Sequence, residues 1–172
     1  MAALIPCGEP APLFELCDLR GKTHRLAKGR GRILILNFWS AECPWAARCD
    51  QELLAYLPFW KDKVALWTIA SNVNEPLDLL VRIANERCLP LVLQDARNNV
   101  ANLYGAQTTP HLYVIDKLGI LRYQGALDDV TFRNRVPTQP FLHMAVDALF
   151  SEQLPEPAYT TPYGCAIVRE HR

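Results

Sequence analysis

Apolar runs alternate with segments of helical periodicity along most of this chain. The runs at positions 33–39 and 64–70 are rich in Ile, Leu and Val, which is typical of strands buried on both faces of a sheet. After each run, apolar residues recur every three or four positions, as expected for a helix with one buried face. Strands that alternate with helices predict a mainly parallel sheet between helical layers.

Further elements complete this α/β pattern. We expect a small hairpin with a glycine in its turn at 14–26, before the first buried strand, and an antiparallel hairpin at 111–124. Pro58 is expected to end or kink the first helix. The predicted helices cover 44–57, 76–87, 95–104 and 140–150, and a third short strand covers 91–93. The predicted architecture has three layers, α/β/α.

One domain is the simplest organisation for 172 residues, of which 50% are hydrophobic. We divide it into an extended arm at 1–12, a core at 13–151 and a Pro-rich arm at 152–172. Basic and acidic residues number 18 each, so the charge gives no reason to expect a nucleic acid or a membrane as partner. The N-terminal residues lack the features of a signal peptide, which predicts a cytoplasmic protein. We expect either a monomer or a homodimer.

Cys43 stands where the first buried strand gives way to a helix. Pro44 is favoured at the first helical position, which places Cys43 at or beside the N-cap. Free backbone N–H groups and the positive end of the helix dipole then point at its sulfur. This placement favours the thiolate, which is the reactive form, and makes Cys43 the candidate nucleophile.

The other five cysteines have different expected roles. Cys49 lies about 9 Å along the helix from Cys43, too far for a disulfide, and shares the apolar stripe of Trp45 and Leu53, so we expect it in the core. We also expect Cys88 in the core, on the apolar face of its own helix. Cys7 and Cys17 are expected to be incidental. Cys165 ends the Pro-rich arm, and it is either the thiol that resolves Cys43 or part of a capping strand that buries Ile167. Without C-x-x-C pairs or clustered histidines, no metal site is expected.

Several motifs resemble the thioredoxin fold, and in particular the alkyl hydroperoxide reductase/thiol-specific antioxidant (AhpC/TSA) redoxins. The carriers are NFWSAECP at 37–44, TTP at 108–110, the N-terminal GEPAPLFELCDLRGKTHRL and VIDKLGILRYQGALDD. The ending YGCAIV resembles that of a bacterial subgroup. The resemblance implies a thioredoxin-like fold with an N-terminal hairpin extension. It also implies a cis peptide bond at Pro110, with the Thr109 backbone facing Cys43 to orient a partner strand.

Two departures from these patterns narrow the site. Ala46 stands where a thioredoxin has its second cysteine, so a local disulfide is excluded. Ser40 and Cys43 fit the second half of the peroxiredoxin pattern Pro-x-x-x-Thr/Ser-x-x-Cys, but Leu36 replaces its proline, and the usual arginine near the start of strand 111–116 is missing. We therefore expect a one-thiol site, with Ser40, Trp45, Thr109 and Pro110 as substrate-binding residues.

The expected function is thiol-dependent oxidoreduction, either antioxidant or thiol–disulfide exchange, with no metal or organic cofactor. Cys43 would attack a protein disulfide or a peroxide, and Cys165 or a thiol of another molecule would resolve the product. An external thiol reductant would complete the cycle. Two alternatives stay open: a peroxiredoxin-type peroxidase, and a non-catalytic module that binds an extended partner by strand addition.

Overall fold

A seven-stranded mixed sheet forms the centre of the molecule, as described by a computed structural model covering residues 5–170. The strands are β1 (Glu15–Asp18), β2 (Thr23–Arg25), β3 (Ile33–Trp39), β4 (Val64–Ala70), β5 (Val92–Gln94), β6 (Thr108–Thr109), β7 (His111–Ile115), β8 (Leu121–Gly125) and β9 (Cys165–Ala166). The helices are α1 (Pro44–Trp60), α2 (Leu77–Glu86), α3 (Asn99–Tyr104) and α4 (Phe141–Phe150), with short 3-10 turns at Leu26–Gly29 and Lys61–Lys63. The spatial order of the large sheet is β2-β1-β5-β4-β3-β7-β8, and β6 pairs separately with β9.

Strand β3 is the middle of the core. It pairs in parallel with β4 and antiparallel with β7, and all seven of its residues are buried. Its even-numbered side chains pack with α3 and the N-terminal segment, and its odd-numbered apolar side chains pack with α1, α2 and α4. The predicted three-layer α/β/α architecture is therefore confirmed, and the N-terminal hairpin extends the sheet by pairing β1 with β5.

One local prediction is wrong, the burial of Cys88, and the predicted end of the first helix is three residues too early. Helix α1 does not end at Pro58 but continues to Trp60, whose buried ring stacks on Tyr56 at 5.8 Å between centroids. Pro58 removes one backbone hydrogen bond from the helix, and burial of the Trp60 ring offsets this loss and stabilises the last turn. Cys88 is exposed rather than buried, because α2 ends at Glu86 and Cys88 adopts a left-handed conformation (φ 55°) that turns it off the apolar face.

The two predicted arms lie on the surface of the core. In the N-terminal arm, the Gly8 N–H donates to the Leu121 carbonyl at 2.8 Å, and Pro10 forms a bridge with Ile120. Residues 1–4 and 171–172 of the arms lie outside the described residues. Within 5–170, no helix has the length and hydropathy needed to span a bilayer.

Candidate active site

The reactive junction has the geometry predicted for it. Cys43 is the N-cap of α1, with extended backbone angles (φ −80°, ψ 121°), and Pro44 opens the helix. The side chain of Cys43 is only 2% exposed, because it packs among small residues that include Ala46 and against Cys165. The thiol is therefore held at a helix N-terminus but covered from solvent.

A buried carboxylate shapes the turn that leads to Cys43. Glu75 accepts hydrogen bonds from the Ser40 hydroxyl and from the backbone N–H groups of Ala41 and Glu42, the latter two at 3.2 Å. The Ser40 oxygen in turn accepts from the Cys43 N–H at 3.1 Å. Ser40 thus positions the Cys43 backbone, a more specific role than the predicted substrate contact.

Glu75 was missed by sequence reasoning, although a signal for it exists. It follows β4, the parallel neighbour of β3, and the carboxyl ends of parallel strands meet at one edge of a sheet. Polar residues after β4 are therefore expected to meet the turn after β3.

Cys165 lies directly against Cys43. Strand β9 pairs antiparallel with β6, with Cys165 opposite Thr109, and the Thr109–Pro110 peptide bond is cis. The Sγ atoms of Cys43 and Cys165 are 2.8 Å apart, and Cys43 Sγ lies 3.0 Å from the Thr109 carbonyl oxygen. Both thiols are free, and a disulfide would require the sulfurs to approach by only ~1 Å, to about 2.05 Å.

The environment separates the acidities of the two thiols. Burial opposes ionisation of Cys43, but hydrogen bonds from the Cys165 thiol and from backbone N–H groups outweigh it, so the pKa of Cys43 is lowered. Burial, the hydrogen bond to Cys43 and the charge of Cys43 together raise the pKa of Cys165 to about 11. Of the two thiols, Cys43 is therefore the one that ionises first, while Cys165 keeps its proton.

The segment 163–170, here called the strap, contains β9 and lies against β6. The Ile167 N–H donates to the Gln107 carbonyl at 3.1 Å, and the Ile167 side chain is buried in the core. Asn72 Oδ1 accepts from the Val168 N–H at 2.9 Å, and Asn98 Oδ1 accepts from the Glu170 N–H at 3.2 Å. The tail therefore caps the core, as the second interpretation of Cys165 expects, and it also brings the Cys165 thiol against Cys43. The role of Cys165 as the resolving thiol stays a prediction.

Trp45 and an ion pair form the opposite wall of the site. The Trp45 ring packs edge-on against Tyr163 of the strap, with centroids 4.9 Å apart. Arg48 pairs with Asp128, its Nη1 lying 3.2 Å from Oδ1. Asp128 is buried, because the Arg48 guanidinium neutralises it. Arg48 is therefore not available to offset the charge of Glu42 beside Cys43, a role that its position in the sequence suggests.

Polar groups also lie buried behind the first turns of α1. Asp50 accepts from Trp39 Nε1 at 2.8 Å and from Arg87 Nη1 at 2.9 Å, and burial raises the pKa of Asp50. Arg87 also donates to the Ala41 carbonyl at 2.8 Å, which ties α2 to the reactive turn. Asn37 is buried in β3, and among residues 5–170 its side-chain atoms have no hydrogen-bond partner.

The remaining candidates do not join the site. Cys49 is fully buried, as predicted, and burial raises the pKa of its thiol well above the ordinary value. His111 is packed within the sheet, where its Nδ1 accepts from the Gln107 N–H at 3.2 Å, and burial lowers the pKa of His111 to about 3. Arg122, on β8, pairs with Asp116 at 2.6 Å.

Comparison with known proteins identifies the family. The model of the AhpC/TSA family matches residues 7–124. The chain belongs to the AhpC/TSA family. Because the match ends at residue 124, the subgroup suggested by the Gly-Cys ending stays a prediction. No group of three or more potential metal ligands occurs within residues 5–170.

One named relative and two solved structures resemble this chain over most of its length. The thiol-disulfide oxidoreductase ResA of Geobacillus thermodenitrificans is 35% identical over 121 residues, which are 67% of this chain and 66% of the relative, slightly under two thirds of its length. A hypothetical protein from Sinorhizobium meliloti superposes with a TM-score of 0.87 at 26% identity, covering 99% of this chain and 98% of that one. An uncharacterised conserved protein from Geobacillus kaustophilus gives 0.84 at 28% identity, covering 97% and 94%.

These similarities confirm the thioredoxin-like α/β fold of this AhpC/TSA protein. The named relative is a thiol-disulfide oxidoreductase.

Proposed function

We propose that this AhpC/TSA protein is a thiol–disulfide oxidoreductase whose redox pair is Cys43 and Cys165. The observation that carries the proposal is the 2.8 Å separation of the two sulfurs, with Cys43 at the helix N-terminus and Cys165 on the paired strand. The pair takes the place of the C-x-x-C dithiol that Ala46 excludes.

The proposed cycle begins with the Cys43 thiolate. It attacks one sulfur of a substrate disulfide, forming a mixed disulfide and releasing the other substrate sulfur as a thiolate, which takes a proton from solvent. The charge of Cys43, which holds up the pKa of Cys165, disappears in this step. Cys165 then ionises more readily and attacks Cys43 Sγ. The substrate leaves as a dithiol, and an external thiol reductant restores the Cys43–Cys165 pair.

The structure favours disulfides over peroxides as the substrate. Peroxide reduction resembling that of peroxiredoxins calls for an arginine at the thiolate, and among residues 5–170 no arginine donates a hydrogen bond to Cys43 Sγ. The nearby arginines are engaged elsewhere: Arg48 with Asp128, and Arg87 with Asp50 and Ala41. Cytoplasmic location stays part of the proposal and is open to cell fractionation.

The test compares two oxidants, glutathione disulfide and hydrogen peroxide, on the reduced full chain carrying Cys165→Ser. Trypsin releases residues 33–48, a peptide whose single cysteine is Cys43. We expect glutathione disulfide to add one glutathione to this peptide, and to produce the Cys43–Cys165 disulfide instead in the unsubstituted chain. Cys88→Ser, at an exposed thiol, serves as the matched control and is expected to change neither product.

Two results would contradict the proposal. A Cys43 thiol that reacts with hydrogen peroxide far faster than with glutathione disulfide would indicate the peroxidase alternative. A Cys43 thiol that is no more reactive than Cys88 towards either oxidant would indicate the binding module.

A further inference from the structure

The strap occupies the edge on which a thioredoxin-like protein would be expected to receive an extended partner. Strand β6 offers only Thr108 and Thr109 for pairing, and β9 already uses both, with Ala166 opposite Thr108 and Cys165 opposite Thr109. A partner that adds a strand here must displace the strap and take its register. The strap is therefore a structural template for the partner's segment.

One position of this template tolerates a single residue type. At Gly164, an added Cβ atom would lie 2.6 Å from the carbonyl carbon of Thr109 and 3.0 Å from Pro110 N, with the Thr109 oxygen closer still. These are backbone atoms in a buried segment, so they cannot give way as a flexible side chain would. The residue directly before the reacting cysteine must therefore lack a side chain.

We propose that the Thr108–Thr109 edge selects extended protein segments in which glycine immediately precedes the reacting cysteine, and that the strap competes with them. This inference rests on the proposed function, since the partner's cysteine must meet Cys43. The positions after the cysteine add a second preference: Ile167 is buried while Ala166 and Val168 face solvent. The preferred segment is thus Gly-Cys-x-Ile-x, in which x is any residue.

The test uses the full chain carrying Cys165→Ser, so that Cys43 has no internal partner. Two peptides, Tyr-Gly-Cys-Ala-Ile-Val and Tyr-Ala-Cys-Ala-Ile-Val, are activated as mixed disulfides with thionitrobenzoate. Cys43 attacks the peptide sulfur, a new S–S bond forms, and thionitrobenzoate leaves as a coloured thiolate in equal amount. We expect the glycine peptide to react at least 10-fold faster than the alanine peptide.

A second variant tests competition by the strap. Gly164→Ala in the same chain makes the strap clash with Thr109 and should speed the reaction of the glycine peptide about 10-fold. Gly29→Ala is the matched control, because a Cβ there would meet only Leu34 and Trp67 side chains at 3.5 Å and 3.8 Å. We expect it to leave the rate unchanged.

The outcomes separate this inference from the proposed function. Fast reaction of Cys43 with both peptides at equal rates would overturn the glycine preference and leave the exchange chemistry intact. If Cys43 reacts with neither peptide and also fails to react with a small aromatic disulfide, the proposed function itself is overturned. In a third outcome, a Cys43→Ser chain carries Cys165 as a mixed disulfide with thionitrobenzoate. Rapid attack on it by Cys43 of the Cys165→Ser chain, with release of thionitrobenzoate and unaffected by excess glycine peptide, would make a second copy's tail the occupant and overturn the proposal.

Discussion

Ile167→Ala is expected to expose Cys43 by loosening the strap. The substitution removes three carbons from a side chain that is 5% exposed and packed in the core. At ~0.8 kcal/mol per buried carbon, it weakens closure of the strap by about 2.4 kcal/mol. Since 1.4 kcal/mol corresponds to a factor of 10, the open fraction rises about 50-fold. Cys43 reacts only in the open state, so its rate of alkylation should rise by the same factor.

The assay is alkylation of the reduced full chain by iodoacetamide, followed through the tryptic peptide 33–48. Val168→Ala is the matched control, because Val168 lies in the same strap but is 41% exposed, and its backbone hydrogen bonds remain. We expect this control to change the rate less than about 3-fold. Equal rates for Ile167→Ala, Val168→Ala and the unsubstituted chain, with circular dichroism unchanged, would refute the idea that the strap covers the thiol.

Three further predictions concern the groups around the site. Cys165→Ala removes the thiol that lowers the pKa of Cys43, so the midpoint of the pH profile of Cys43 alkylation should move up towards about 8.5; an unmoved midpoint would contradict the coupling. Glu75→Gln removes a buried charged acceptor and should lower the free energy of unfolding, measured in urea, by roughly 2–4 kcal/mol. The control Glu42→Gln, at an exposed position, should lower it by less than ~0.5 kcal/mol. Equal losses would count against the role of Glu75. Because the pKa of His111 is lowered, its contribution to stability is present above pH ~6.5 and is lost as the pH falls towards 3. His111→Gln should therefore reduce the stability lost between pH 7 and pH 5 by roughly 2 kcal/mol, measured by urea unfolding at both pH values. The same loss in both chains would show that His111 is not the titrating group.

The fold was predictable because its strands and helices have clear periodicity. The bounds of β3 and β4 agree with the sequence to the residue, since both are mainly apolar runs bounded by polar segments. The end of α1 was not predictable from Pro58 alone, because burial of Trp60 is a tertiary effect. The position of Cys88 depended on one left-handed residue that hydrophobic periodicity cannot reveal.

The site was predictable only in part. Cys43 follows from local rules, because a strand, a cysteine and a proline at a helix start specify its backbone environment. The alternatives for Cys165 stayed open because 121 residues separate it from Cys43 and sequence alone does not fix such pairings. Glu75 and the Arg48–Asp128 pair depend on contacts across the ends of different elements, which no periodic pattern encodes.

The central claim is that Cys43 and Cys165 form one redox pair, and disulfide mapping tests it most directly. The full chain is equilibrated in a glutathione redox buffer, trapped with acid and alkylated, and digested with trypsin. The account predicts that residues 33–48, which contain only Cys43, become cross-linked to residues 136–169, which contain only Cys165, in an amount that rises as the buffer becomes more oxidising. It would be contradicted if Cys43 stayed reduced, or linked only to glutathione, while Cys165 remained a free thiol.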